Sequence, residues 1–219
     1  MNVLLFGATG MVGQGVLREC LLDPGVDRVL AVGRSATGRT APKFRELIVP
    51  DVADLSAVEA ELAGIDACFF CLGVSSIGMA EAEYTRLTYD LTLAVARTVV
   101  RQSPSATFVY VSGAGTDSTE RGRSMWARVK GRTENELLRL PFKAAYMFRP
   151  GAIVPLHGVR SKTAWVRLIY LVAAPIVPLW RALFPTTITT SEQVGRAMLR
   201  VAREGYAEPI LETADINRL

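Results

Sequence analysis

The stretch VLLFGATGMVGQGVL, residues 3–17, constrains this chain more than any other. An apolar run leads into Gly7, Gly10 and Gly13, and a helical pattern leaves them. Glycines at this spacing between a strand and a helix have separate physical uses. Gly7 permits a tight turn out of the strand. Gly10 lets an anion approach the backbone, and Gly13 lets the helix lie close to the sheet. The exposed N–H groups and the positive end of the helix then bind a pyrophosphate without any lysine. Thr9, Met11 and Val12 belong to the same loop. This meaning holds only with a strand before the glycines and a helix after them, and both patterns are present.

The rest of the chain repeats the alternation. Strands are expected at NVLLF (2–6), RVLAV (28–32), ELIV (46–49), ACFFC (67–71), TFVYVS (107–112) and AAYMFR (144–149). Helices are expected at 11–22, 56–63, 83–102 and 124–140. In the third of these, Leu87, Leu91, Ala94, Val95 and Thr98 recur at helical spacing. Near-continuous apolar strands joined by helices indicate an α/β fold: a doubly wound parallel sheet in three layers, with helices on both faces. Residues 1–219 read as one domain, with 155–190 as a substrate-side or interaction segment.

That segment contains the most hydrophobic stretch, TAWVRLIYLVAAPIVPLWRALF (163–184). Arg167 and Arg181 interrupt it, and Pro175 and Pro178 break a helix within it, which argues against a membrane span. An apolar helical element covering a cleft is the expectation. Its basic flanks, with Trp165 and Trp180, also suit a peripheral membrane or protein contact.

A net charge of +4, spread along the chain, gives no footprint for nucleic acid. Three cysteines, Cys20, Cys68 and Cys71, are too few for a disulfide framework. CFFC has redox or zinc spacing, but on a strand its two thiols point to opposite faces, so buried structural thiols are expected. No secretory signal is visible, and a reducing, cytoplasmic setting is the expectation. No cluster of histidines, cysteines and carboxylates suggests a metal.

The end of the second strand bears on which dinucleotide would fit. A site for NAD usually carries an acidic residue about 20 residues past the glycine loop. Here the strand ends in Gly33, Arg34 and Ser35. Arg34 can pair with a 2′-phosphate and Ser35 can donate to it, so NADP(H) is expected over NAD(H). Asp51, beside Val52, is placed to accept from an adenine amino group; capping a helix start by Asp51 or Asp54 is the competing reading. Cys71, Leu72 and Gly73 end the fourth strand, where Gly73 suits close approach by a ribose.

Taken in order, GATGMVG, VGRS, PDVAD, CLG, YVSGAG, the lysine of ARVKG, and FRPG resemble a known superfamily. The chain is similar to the atypical, single-domain short-chain dehydrogenases/reductases, NAD(P)-binding Rossmann proteins of an epimerase- or NmrA-like branch. The resemblance covers residues 1–155 and continues weakly through TTSEQVGRAMLRVA. It implies that Lys130 hydrogen-bonds the nicotinamide ribose and that Arg149, Pro150 and Gly151 lie near the nicotinamide.

Two catalytic positions depart from the family pattern. The family uses Tyr-x-x-x-Lys on the helix after the fifth strand. One helical turn separates the two, so both face one cleft, and the lysine charge lowers the phenol pKa. Here Trp126 stands in the tyrosine's place, and an indole has no acid–base role at neutral pH. Ser112 matches the assisting serine, but Gly113 and Ala114 follow where another hydroxyl is common. Ser112 and Lys130 are therefore the catalytic candidates. The lone histidine, His157, reads mainly as a surface or packing residue. The first expectation is an oxidoreductase acting on a small or hydrophobic carbonyl compound. A non-catalytic NADP(H) sensor is the alternative, and a sugar-nucleotide epimerase comes third.

Overall fold

The structure is a computed structural model that describes residues 1–158 and 187–219. The expected helix at 163–184, with Trp165, Trp180, Pro175 and Pro178, lies outside the described residues. No helix among the described residues is long and apolar enough to cross a membrane.

The chain runs β1 (Asn2–Phe6), α1 (Met11–Leu22), β2 (Arg28–Gly33), β3 (Phe44–Ile48), a 3-10 helix (Ser56–Leu62), β4 (Ala67–Phe70) and α2 (Glu81–Thr85). A π-helical turn (Arg86–Asp90) joins α2 to α3 (Leu91–Gln102), and β5 (Thr107–Val111) and α4 (Met125–Arg139) follow. Next come β6 (Ala144–Arg149), β7 (Ala152–Val154), β8 (Ile188–Thr190), α5 (Ser191–Glu204), β9 (Ile210–Glu212) and α6 (Thr213–Arg218). Seven strands form one sheet in the order β3-β2-β1-β4-β5-β6-β9. Every pairing in it is parallel. The doubly wound sheet expected from the sequence is present.

Side-chain alternation builds the layers. Val3, Leu5, Val29, Ala31, Ala67, Phe69 and Val109 point to one face, where α1 and α5 cover them. Leu4, Phe6, Leu30, Val32, Cys68, Phe70 and Phe108 point to the other, under the 3-10 helix, α3 and α4. Period-two strands that are apolar on both sides need this double cover. Cys68 packs on the second face and Cys71 against the first, so the CFFC thiols diverge.

Glycines set how closely α1 and α5 cross. A Cβ on Gly15 would lie 2.6 Å from Ser191 Cβ and 2.7 Å from its carbonyl oxygen. A Cβ on Gly195 would lie 2.8 Å from Glu19 Cγ. Glu19 is buried at this crossing, where Arg18 and Arg196 pair with it.

Boundaries differ from expectation where long-range pairing decides them. β3 starts at Phe44 because Val29 and Phe44 pair in the β2–β3 ladder. SAVEAELA closes as a 3-10 rather than an α-helix. The three-residue strands β7, β8 and β9 are too short to carry a periodic signal.

Replacing Gly15 with Ala forces a methyl onto the Ser191 backbone. The expected cost is about 1–3 kcal/mol, the usual range for overpacking. Urea unfolding followed by far-UV circular dichroism should show a lower midpoint at unchanged slope.

Candidate functional site

The order of strands reverses between β1 and β4, and their carboxyl ends open a crevice there. Gly7 leaves β1 at φ +85°, and a Cβ there would lie 2.7 Å from the Cys71 carbonyl carbon. A Cβ on Gly13 would lie 2.0 Å from the Gly7 oxygen, so α1 can start here only on a glycine. Gly10 is the N-cap of α1, and no side chain caps it; the first turn carries no acidic residue. The positive end of α1 therefore faces the crevice with free N–H groups, as an anion site requires.

Two clefts meet at Leu72, which lines both. The first is bounded by Gly7, Thr9, Val32, Arg34, Ser35, Glu46, Val52 and Leu72. Arg34 and Ser35 are exposed at its mouth, and Arg34 has no ion-pair partner among the described residues. Glu46 reaches in from β3, and its Oε1 accepts the Thr37 N–H at 2.8 Å, which holds the loop after β2. The second cleft, of about 520 Å³, is bounded by Gly10, Met11, Val12, Cys71, Gly73, Ser112, Lys130, Pro150 and Gly151, among others. No heavy atom lies within 4 Å of where a Cβ would stand on Gly73 or Gly113, so open space adjoins the backbone at both.

Ser112 follows β5 directly, and its Oγ lies 3.0 Å from Thr116 Oγ1. Thr116 donates its one hydroxyl proton to the Gly113 carbonyl at 2.8 Å, so Ser112 is the donor in the hydroxyl pair. Lys130 projects from α4, and its Nζ stands 5.3 Å from the centroid of the Tyr110 ring. Burial pushes the Lys130 ammonium down to about 8, against an opposing pull from Glu134. Burial also drives the Tyr110 phenol far above its ordinary range, so it stays protonated.

Three residues fall elsewhere than the sequence suggested. Arg149 does not line the cleft. Its Nη2 donates to Glu134 Oε2 at 2.5 Å and to Ser118 Oγ at 2.5 Å, and its Nε donates to Glu134 Oε1 at 3.1 Å. Burial works against the Arg149 charge, but the hydrogen bonds and charge of Glu134 outweigh it. The guanidinium thus ties β6 to α4 and to the loop 113–123, and its neighbours Pro150 and Gly151 alone reach the cleft. Asp51 is exposed and accepts the Ala53 N–H at 2.9 Å in a tight turn, while Asp54 accepts the Ser56 N–H at 3.1 Å. Trp126 does not line the cleft either. A Cβ on Gly115, at φ +84°, would lie 3.6 Å from its Cη2, so the indole covers the loop after β5.

Glu46, Thr116 and Glu134 are site residues that the sequence reading missed. Only Glu134 left a signal, as it stands one turn beyond Lys130 on the same helix face. Gly131 beside Lys130 is likewise required, because a Cβ there would lie 1.8 Å from the Asp117 carbonyl oxygen.

A glycine-opened helix end at a strand-order switch, with Ser112 and Lys130 in the adjoining cleft, defines an NAD(P)-binding protein of the short-chain dehydrogenase/reductase type. The chain belongs to the NAD dependent epimerase/dehydratase family, whose model matches residues 3–121. Among relatives, it is 31% identical to "Protein FMP52, mitochondrial" of Eremothecium gossypii over 156 residues, 70% of this chain and 67% of that protein. It is 26% identical to the protein of the same name from Chaetomium globosum over 229 residues, 99% of this chain and 95% of that one. Several of these matches thus span only about two thirds of the relative's length.

Among solved structures, a dTDP-glucose 4,6-dehydratase from Streptomyces venezuelae with NAD bound superposes with a TM-score of 0.70 at 18% identity. The match covers 96% of this chain and 74% of that one. A short-chain dehydrogenase/reductase from Saccharomyces cerevisiae gives a TM-score of 0.64 at 15% identity, covering 97% of this chain and 96% of that one. At such identities the likeness concerns the fold. The relatives' names correct one expectation. They are called mitochondrial, so the cytoplasmic setting read from the cysteines does not stand. Buried thiols such as Cys20 and Cys68 are shielded by the core and do not report a compartment.

Arg149→Met should leave Glu134 buried without its partner and cost about 3–5 kcal/mol. Thermal unfolding measures the loss. Dinucleotide affinity of the folded fraction should stay near wild type, because Arg149 does not face the cleft.

Proposed function

We propose that this chain is an NADP(H)-dependent oxidoreductase that reduces a small or hydrophobic carbonyl compound in an active site without the usual tyrosine. The observation that carries the reading is the pair of clefts joined at Leu72 across the open end of α1. Arg34 and Ser35 stand at one extremity, Ser112 and Lys130 at the other.

The residues suit a dinucleotide along this path. Met11, Val12 and Gly13 offer backbone N–H groups to the pyrophosphate, while Gly7, Thr9 and Gly10 line the turn around it, with the Gly10 N–H held by the Gly7 carbonyl at 2.9 Å. Arg34 and Ser35 hold the 2′-phosphate, and their charge and donors offset the Glu46 carboxylate nearby. Val52 gives the adenine an apolar wall, while Asp51 serves the turn beneath it. Cys71, Leu72 and Gly73 border the ribose, and the three donors of Lys130 reach its hydroxyls. A nicotinamide in the second cleft supplies the hydride; the protein supplies orientation and electrostatics. Ser112 polarises the substrate carbonyl by turning its proton from Thr116 to the carbonyl oxygen. The cleft wall, with Val12, Leu72, Val74, Val111 and Ile153, favours an apolar substrate body.

A second reading is supported by Trp126, which takes the sequence position of the family's tyrosine and leaves the cleft without that proton donor. On that reading the chain binds NADP(H) without turnover and signals its redox state to a protein or membrane partner through residues 163–184.

The two readings separate in one cuvette. Titration with NADPH and NADH, followed by a panel of carbonyl compounds, should give tight NADPH binding and cofactor oxidation. Binding without oxidation of NADPH by any carbonyl favours the sensor. Arg34→Ala should weaken NADPH by roughly 10–100-fold, the range for losing a charge-assisted hydrogen bond, and leave NADH nearly unchanged. Equal affinities for NADPH and NADH in the wild type overturn the cofactor preference.

A further inference from the structure

Carbonyl reduction needs a proton as well as a hydride, and Trp126 has none to give. Among the described residues lining the second cleft, only Cys71, Ser112 and Lys130 carry an exchangeable side-chain proton. Burial pushes the Cys71 thiol well above its usual range, which makes it a poor acid. Ser112 is an alcohol whose proton goes to another alcohol. His157 lies outside the cleft lining and is hydrogen-bonded to Glu192 at 2.5 Å. Lys130 remains.

The surroundings of Lys130 suit an acid that gives up its proton. Its Nζ stands over the face of Tyr110 on β5, with no carboxylate bonded to it among the described residues. Glu134, one turn along α4, has both oxygens on Arg149 from β6. Of the titratable groups around the amine, Tyr110 and Cys71 are neutral, and Glu134 and Arg149 balance one another. Burial brings the ammonium down to about 8. A group poised near the working pH is matched to proton transfer in either direction. Although mostly covered, Lys130 lines the open cleft, from which water can restore its proton.

Resting on the oxidoreductase reading above, we infer that Lys130 is the catalytic acid of this site, its ammonium passing a proton to the substrate oxygen where the family would use a tyrosine. The carbonyl carbon gains a hydride from the reduced nicotinamide, and the π pair of the C=O bond moves onto oxygen. One N–H bond of Lys130 breaks as the O–H bond forms. The neutral amine then takes a proton from water at the cleft mouth. In alcohol oxidation the amine accepts the hydroxyl proton instead.

The test compares the full-length wild type with Lys130→Arg and Lys130→Met. Arginine keeps the charge and donors for a ribose but releases no proton near neutrality. NADPH affinity of Lys130→Arg should stay within about threefold of wild type while carbonyl reduction falls about 100-fold in both variants. Wild-type reduction should decline as pH rises through about 8, and alcohol oxidation as pH falls through it. In the protein without cofactor, acetylation of Lys130 should rise over the same pH range, and NADPH should block it.

Reduction by Lys130→Arg near the wild-type rate overturns the assignment alone. So does acetylation that rises only at the ordinary lysine pKa of about 10.4. NADPH binding without turnover of any carbonyl by the wild type overturns the oxidoreductase reading, and the assignment with it.

Discussion

The approach of the Gly7 carbonyl to the first turn of α1 is the contact on which the other arrangements depend. With no Cβ at Gly13, the turn from β1 into α1 closes within four residues, and the helix axis points its positive end at the strand-order switch. The same turn packs Gly7 against the Cys71 backbone, which sets the distance between β1 and the loop after β4. A methyl at Gly7 would push β1 and the loop after β4 apart where the crevice must form, and one at Gly13 would lift α1 off the turn. The anion site is thus a by-product of how closely one helix can lie on one strand.

A second device acts from the opposite side of the crevice. Arg149 and Glu134 form a buried pair whose members come from β6 and α4, with Ser118 from the loop between β5 and α4 and Glu212 beyond. Buried ion pairs add little net stability, but removing one partner is costly, so their effect is to fix geometry. Here they lock the helix that carries Lys130 against the strand that leads to Pro150 and Gly151. They also take up the carboxylate that would otherwise pair with Lys130. The ion pair thus holds the lysine in position, while burial softens its charge against the residual pull of Glu134.

The sequence was most legible where structure is local. The limits of β1, α1 and β6 follow from apolar runs bounded by glycine or turn residues, and the glycine loop declares its own conformation. Legibility failed where partners are distant in the chain. Glu46 enters the first cleft because β3 pairs with β2, and Thr116 meets Ser112 because the loop folds back on itself; no periodicity encodes either event. The resemblance puts Arg149 with Pro150 and Gly151 near the nicotinamide, yet its guanidinium turns away to Glu134 and Ser118. The sequence puts Trp126 at the position of the family's tyrosine, but the turn of its indole toward Gly115 and away from the cleft lining depends on how the loop after β5 folds.

The crossing of α1 and α5 has a consequence for how the chain comes into being. α1 is synthesised well before the helix that nests on Gly15, which begins at Ser191. On the ribosome, the sheet face bearing Leu5, Ala31 and Phe69 lacks this cover until α5 has emerged. The opposite face gains α3 and α4 much earlier. Between the emergence of α1 and that of α5, a nascent chain therefore carries one incompletely covered sheet face, and chaperones would meet it there.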